Sequence, residues 1–594
     1  MKRLNRKRSR LWVFGLASLV LCFIFLGSAL AGSAQAFFPG ETKGFNINSE
    51  YDYFGRNSIS ATLRQAGDKA LFYVDDELWN SGGNDQINSA VLKLLSEFDE
   101  IIYPRVTKVF GAEWNPGIDN EGRITILLFK MKDIAGGYFN TIDEFPKSVF
   151  PLSNEREMVY LNSNFLGTAR INNFLAHEFQ HLINYYQKEK LRGVVEDIWL
   201  NEARSEYAPT LCGYDEALAG SNLEKRSREF IQNSSDSLTE WREKIGDYGS
   251  VNLFMQYLMS RYGEVFLKET MRSEKTGIAS INDALEKLGF KEKFEDVFMN
   301  WLVANYANDC LLGEQKIFCY LNSNLADFKI IPNLTTFLLP VKNKIFSFSD
   351  NTKDWSGRWY RISGGGENLD LKLEFKSQTG ENFKAAVLVL KSDGKKEIQF
   401  FSTDPEGKFW KIFKGFGSEI DSIVLIPFSY GKKENFTANE SLKNFSYSME
   451  LGETGSLAVA PVLTPSPAVS SVSQKIPSYP DGSLIRAEED YKVYVIKGNF
   501  KRWIQSPQIL LSYSHWDWNK IIKVSTADRD WYKDAGLIRA ENDYKVYEAN
   551  GDMSKHWLNI STRQFTDSGR DWNMIFAVNK AELDLYKTGA DVMR

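Results

Sequence analysis

Only four histidines occur in the 594 residues of this chain, and two of them, His177 and His181, flank Glu178-Phe179-Gln180. The stretch 171–187 contains neither Pro nor Gly. Ile171, Phe174, Leu175, Leu182 and Ile183 give it an apolar stripe, which predicts a helix. Residues i and i+4 of a helix lie about 40° apart around the axis and about 6 Å apart along it. Both imidazoles then reach one cation from the same face. Zinc takes nitrogen and carboxylate ligands and, in reactive sites, keeps one position open. Glu178 is placed to take a proton from water there. With histidine this rare, the pattern arises by chance in roughly two of a thousand such chains. The alternative is two surface histidines on an ordinary amphipathic helix.

A reactive zinc site needs a third protein ligand. Trp199-Leu200-Asn201-Glu202-Ala203-Arg204-Ser205-Glu206-Tyr207 follows, with Glu202 lying 21 residues after His181. At these residues the sequence resembles the gluzincin metallopeptidases, whose pattern is HExxH followed by a helix bearing NExxS[DE]. The resemblance implies one Zn2+ per chain, held by His177, His181 and Glu202. It implies Glu206 as the carboxylate that orients a ligand histidine and raises its basicity. Thermolysin-like members carry Asp there, so Glu206 is a departure. Within the gluzincins, Ala176–Asn184 and Trp199–Glu202 resemble the hyicolysin-type (M30) family of secreted bacterial metallopeptidases. Pro116-Gly117-Ile118-Asp119 and Gly136-Gly137-Tyr138-Phe139 add to that likeness.

Peptide hydrolysis builds negative charge on the carbonyl oxygen, and a donor beside the metal shares it. Thermolysin-like enzymes use a downstream histidine, but here the remaining two are His515 and His556, far along the chain. The spacing from Tyr248 to Gly263 resembles the helix of gluzincin aminopeptidases that begins with a catalytic Tyr, which implies that role for Tyr248. The alternative is an aromatic packing at a helix start. The resemblance also puts the strand Glu157–Leu161 at the edge of the cleft, where a substrate backbone can add as a further strand.

The rest of the chain reads as a multidomain protein. Residues 1–10 carry six basic and no acidic side chains, an apolar run follows from Leu11 to Ala31, and Ala34-Gln35-Ala36 ends it. That order predicts a secretory signal over 1–36, with an uncleaved anchor as the alternative. Cleavage takes the net charge from −5 to −11, and an acidic chain lacks the basic footprint that nucleic acid needs. Residues 37–330 read as a zincin-like α+β catalytic domain, with a helix capped by Asn84 or Asp85 between two apolar strands. Leu369, Leu371, Leu373 and Phe375 alternate with polar residues and open a β-sandwich over 331–455. Residues 456–480 hold five of the 16 prolines and read as a linker. Leu484-Ile485-Arg486-Ala487 recurs as Leu537-Ile538-Arg539-Ala540, so 481–534 and 535–594 are two tandem β-containing repeats. Their recurring Trp503, Trp518 and Tyr532, with Trp557, Trp572 and Tyr586, read as core. Cys310 and Cys319 either close a short loop or stay as buried thiols.

Two functions compete. One is a secreted or cell-surface bacterial peptidase, most simply an endopeptidase, cleaving protein or peptide substrates with a zinc-activated water and Glu178 as general base. The other is a surface-binding protein on a zincin scaffold, with the repeats attaching it to the cell envelope or a polysaccharide. Retention of His177, Glu178, His181, Glu202 and Glu206 together favours the first.

Overall fold

The computed structural model describes residues 40–457 and 479–592, apart from short stretches at 134, 314, 433–435, 437–439, 488–491, 514, 541–542, 544, 561–563, 566–567, 569 and 571. The export signal and nearly all of the Pro-rich linker lie outside the described residues. Among the described residues no helix is long and apolar enough to cross a membrane. The chain forms two compact units, Met1–Val459 and Ala460–Arg594.

A six-stranded sheet organises the start of the first unit. Its strands are β1 (Thr42–Asn46), β2 (Ser58–Ala66), β3 (Ala70–Asp75), β4 (Ile124–Phe129), β5 (Gly137–Phe139) and β6 (Met158–Asn162), in the order β1-β2-β3-β4-β6-β5. β3, β4 and β6 run parallel, and β5 runs antiparallel to β6. The parallel strands are almost continuously apolar because both faces are covered. Phe72, Ile126 and Val159 pack beneath helices, while Leu71, Leu127 and Tyr160 fill a second core on the opposite face.

The expected strand at 157–161 is β6, but it is not the edge of the sheet. β5 pairs outside it, Gly137 opposite Leu161 and Phe139 opposite Val159. A three-residue strand that begins with glycine shows no alternation to read. A Cβ at Gly137 would lie 2.6 Å from the Tyr160 carbonyl oxygen and 3.0 Å from Cγ of Glu178. Only glycine lets the edge strand sit this close to both neighbours.

The helices of this region are α1 (Asp76–Asn80), α2 (Asn84–Glu97), α3 (Tyr103–Phe110), α4 (Ala169–Asn184), α5 (Ile198–Leu211), α6 (Asn222–Gln232), α7 (Ile245–Arg272), α8 (Gly277–Lys287) and α9 (Phe294–Ala307). The cap of α2 is Gly83 in a left-handed conformation (φ 80°), not Asn84 or Asp85. α4 carries both histidines and widens after Asn184 into a π-helical turn, Tyr185–Lys190. α7 begins three residues before Tyr248 and breaks at Gly263, where φ is 72°.

Two mainly antiparallel sheets follow. One joins Lys408–Phe413, Leu369–Ser377, Lys443–Glu453 and Ile345–Thr352. The other joins Lys396–Ser402, Phe383–Lys391, Ile420–Ser429, Tyr360–Gly364 and Leu334–Leu338. Leu371, Leu373 and Phe375 meet Val387, Val389 and Leu425 between them. The outer face of the five-stranded sheet is not free. Its Ala386, Leu388, Val424, Ile426 and Phe428 belong to the same core as Phe298 and Trp301. The sandwich and the helical region therefore share one hydrophobic core. Cys310 and Cys319 form a disulfide, and Cys212 is a buried thiol.

Beneath the β5–β6 edge lies a buried carboxylate pair, Glu144 and Glu157. Glu157 accepts a hydrogen bond from the Ile118 amide (2.8 Å), while its other oxygen and both oxygens of Glu144 have no donor. Burial pushes the Glu157 carboxyl up to about 7, with the Asp119 charge adding to it. Burial and the facing Glu157 push Glu144 up as well. A carboxyl that binds its proton more tightly when folded destabilises the fold once pH rises past its folded value, and the penalty disappears as pH falls towards the unfolded value. Glu157→Gln keeps the acceptor for Ile118 and gives Glu144 a donor. The expected result is a variant more stable than wild type by on the order of 2 kcal/mol at pH 8, with the gap closing towards pH 5. Thermal unfolding of both proteins across that range checks it.

The second unit contains two sheets with the same strand order, one per repeat. In the first, Leu484–Ala487 lies between Val493–Lys497 and Ile522–Val524; in the second, Leu537–Ala540 lies between Tyr547–Ala549 and Ile575–Val578. Leu484, Val495, Ile538 and Phe576 share a core that spans both repeats. A buried ion pair, Arg502–Glu582, also joins them. Tyr532 and Tyr586 are buried as expected. Trp518 and Trp572 are not, being 50% and 39% exposed. Each stands on a one-turn 3-10 helix at the surface, so recurrence did not mean burial here.

Candidate metal centre

α4 and α5 pack against each other and bring three side chains to one point. Nε2 of His177 and Nε2 of His181 are 3.1 Å apart. Glu202 on α5 faces both, with Oε2 3.5 Å from His177 Nε2 and Oε1 3.6 Å from His181 Nε2. One ligand atom from each of the three residues lies within 4.8 Å of the other two, a grouping that could hold one metal ion. Glu202 Oε2 is buried and has no hydrogen-bond donor. The three side chains remain 12–16% exposed, so the centre is reachable from solvent.

The neighbours of the imidazoles set their chemistry. Nδ1 of His181 is 3.2 Å from Asn201 Oδ1 and 3.1 Å from Ser205 Oγ, which leaves Nε2 as the lone-pair atom. Ser205 in turn donates to Gln180. Nδ1 of His177 faces Glu206 Oε1 at 3.6 Å. Burial lowers the His177 pKa, but Glu202, Glu178 and Glu206 outweigh it and hold the ring up at about 9. Burial, reinforced by His177, pulls His181 down to about 4. Burial raises the Glu202 carboxyl, and the two imidazoles more than reverse this, so it stays ionised. A site that gathers this much negative charge around two imidazoles suits a divalent cation.

Glu178 sits beside the triad on the side of β5, 8% exposed, where a Cβ at Gly137 would lie only 3.0 Å from its Cγ. Burial pushes its carboxyl up to about 7, with Glu202 and Glu206 adding to the rise against His177. That is the range in which a carboxylate exchanges protons readily near neutral pH.

Tyr248, on α7, lies near enough for the charges of Glu202 and Glu206 to reach its phenol. Its ring packs edge-on against Trp241, centroids 4.9 Å apart, and the Arg226 guanidinium lies 4.6 Å from its centre. Burial raises its phenol pKa, and Glu202 and Glu206 raise it further, so it keeps its proton. The structure brings His177, His181 and Glu202 within reach of one ion and sets Glu206 3.6 Å from His177, while the contacts of Tyr248 are with Trp241 and Arg226. It also shows residues that sequence reasoning missed. Asn201 and Ser205 lie inside the NExxS pattern and could have been read from it. Arg226 binds both oxygens of Glu206 at 2.6 and 2.8 Å, and no motif announced it. Tyr51 stacks on Tyr138 (5.0 Å), and the charges of Glu178 and Glu202 reach its phenol. Nothing in its sequence context marked it.

Comparison with known proteins adds a distant relative. No protein-family model matches the chain. An alignment 215 positions long, covering 32% of this chain, is 27% identical to neutral metalloprotease ShpI of Staphylococcus hyicus. A metallopeptidase relationship follows. The match spans 47% of that relative, about half its length. Among solved structures, the Yersinia pseudotuberculosis-derived mitogen covers 21% of this chain at 11% identity, with a TM-score of 0.14 over 98% of its own length. PliG, a periplasmic lysozyme inhibitor from Aeromonas hydrophila, covers 20% at 11% identity, with a TM-score of 0.13 over 99% of its own length. Scores this low carry no argument about the fold.

Proposed function

We propose that this chain is an exported zinc-dependent peptidase of the gluzincin type, acting as an endopeptidase on protein substrates. The observation that carries this is the convergence of His177, His181 and Glu202 at separations of 3.1–3.6 Å with Glu178 alongside. The relationship to a neutral metalloprotease supports it. Export is supported by the basic, apolar and Ala-x-Ala order of residues 1–36, and the Cys310–Cys319 bond suits an oxidising compartment.

Zinc bound by the triad supplies Lewis acidity, polarising a carbonyl and easing ionisation of water. The protein's own groups do the rest. His181 offers Nε2 because Asn201 and Ser205 engage Nδ1. Glu178 takes a proton from the attacking water and returns it to the leaving amine. The Tyr248 phenol, keeping its proton, donates a hydrogen bond to the carbonyl oxygen as charge gathers there. A substrate segment pairs with the free edge of β5, not with β6, and this lays its backbone beside Glu178. The second unit serves attachment to the cell envelope or a polysaccharide, through the exposed and equivalent Trp518 and Trp572.

The test is casein cleavage by the mature protein with and without 1,10-phenanthroline. Activity should fall at least about a hundredfold with the chelator and return on adding zinc. Chelator-resistant cleavage would point to another mechanism, and no cleavage in a zinc-loaded protein would favour a binding role.

A further inference from the structure

We infer that Arg226 is a positioning residue that governs the metal site through Glu206 and Tyr248 together. The inference rests on the peptidase reading above. Glu206 faces the ligand His177, and a carboxylate in that place ordinarily feeds negative charge into the ring and makes the histidine a stronger ligand. Here the distance to Nδ1 is 3.6 Å, longer than a hydrogen bond. Arg226 holds the same carboxylate at 2.6 and 2.8 Å through Nη2 and Nε. Asn222 adds a third donor at 2.9 Å. Glu206 is 2% exposed, so water does not share this competition. The guanidinium therefore draws the carboxylate's charge away from His177. A charged bidentate pair out of water is among the stronger contacts a side chain makes.

The other face of Arg226 acts on Tyr248. Its guanidinium carbon is 4.6 Å from the centre of the Tyr248 ring, and Trp241 meets the same ring edge-on. Glu229 fixes the remaining end of the guanidinium at 2.9 Å. One side chain on α6 thus joins the carboxylate of α5 that faces His177 to the phenol of α7. Loosening it changes the charge around the metal and the aim of the phenol at once.

The experiment measures zinc affinity by chelator competition, and kcat and KM on casein peptides. It uses mature wild type, Arg226→Gln, Arg226→Lys, Tyr248→Phe and the double variant Arg226→Gln/Tyr248→Phe. Without the guanidinium, zinc becomes the main counter-charge for Glu206. Arg226→Gln should therefore bind zinc about tenfold more tightly than wild type. A merely structural arginine would give weaker binding on removal. Its kcat should fall about tenfold with KM within about threefold, and adding Tyr248→Phe should cost no more than Tyr248→Phe alone. Arg226→Lys keeps the charge and loses the planar contacts, so zinc affinity stays near wild type while kcat drops. That comparison stands even if Arg226→Gln fails to fold. Unchanged or weaker zinc binding in Arg226→Gln, fully multiplicative losses in the double variant, or wild-type kcat in Arg226→Lys would each overturn the inference. A wild-type protein without zinc or activity would instead remove the peptidase reading itself.

Discussion

Glu178→Gln should lower kcat/KM on casein about a thousandfold, roughly 4 kcal/mol of transition-state stabilisation, while the protein keeps its zinc. The amide has the size of the carboxylate, so the close approach of Gly137 to Cγ is unchanged. What disappears is the ability to accept a proton in a buried pocket beside the metal ligands. No neighbour replaces it. Glu202 is committed to the two imidazoles and Glu206 to Arg226. Steady-state kinetics with metal analysis on the same preparation checks this. Activity within tenfold of wild type would take Glu178 out of the mechanism.

Glu202→Ala should abolish both activity and stable metal binding. The two histidines alone offer a pair of nitrogens 3.1 Å apart, and the third corner of the site belongs wholly to Glu202. Removing even an outer partner of a zinc ligand commonly weakens affinity ten- to a hundredfold, so losing a ligand should exceed about a hundredfold. The truncated side chain also leaves His177 and His181 without their common carboxylate. After dialysis against a weak chelator, the variant should hold less than about a tenth of an equivalent of zinc, and wild type close to one. Circular dichroism of the two apo proteins controls for folding. Retention of a full equivalent by the variant would mean that another residue supplies the third ligand.

Much of this site could be read before any coordinates, for physical reasons that differ by residue. His177, Glu178 and His181 are legible because a helix converts spacing of four directly into adjacency. Glu202 and Glu206 are legible by resemblance, since the turn between α4 and α5 has no period that fixes how they meet. The β5 edge was missed because three residues starting with glycine carry no alternation, and the resemblance alone had put β6 at the edge. The sandwich was seen from Leu369–Phe375, whose alternation reflects one covered face. Its union with the helical core was not, because strands such as Ile420–Ser429, apolar on both faces, do not say what covers the second face. Arg226 was invisible for a related reason: its partners are one turn of α5 and the start of α7, and only packing joins them.

The most direct measurement is an anomalous difference map from crystals of the mature protein, collected on both sides of the zinc absorption edge. The account predicts one strong zinc peak within coordination distance, about 2.0–2.2 Å, of His177 Nε2, His181 Nε2 and a Glu202 oxygen. A zinc-replete crystal with no peak there, or with Glu202 turned away from the two histidines, would contradict it.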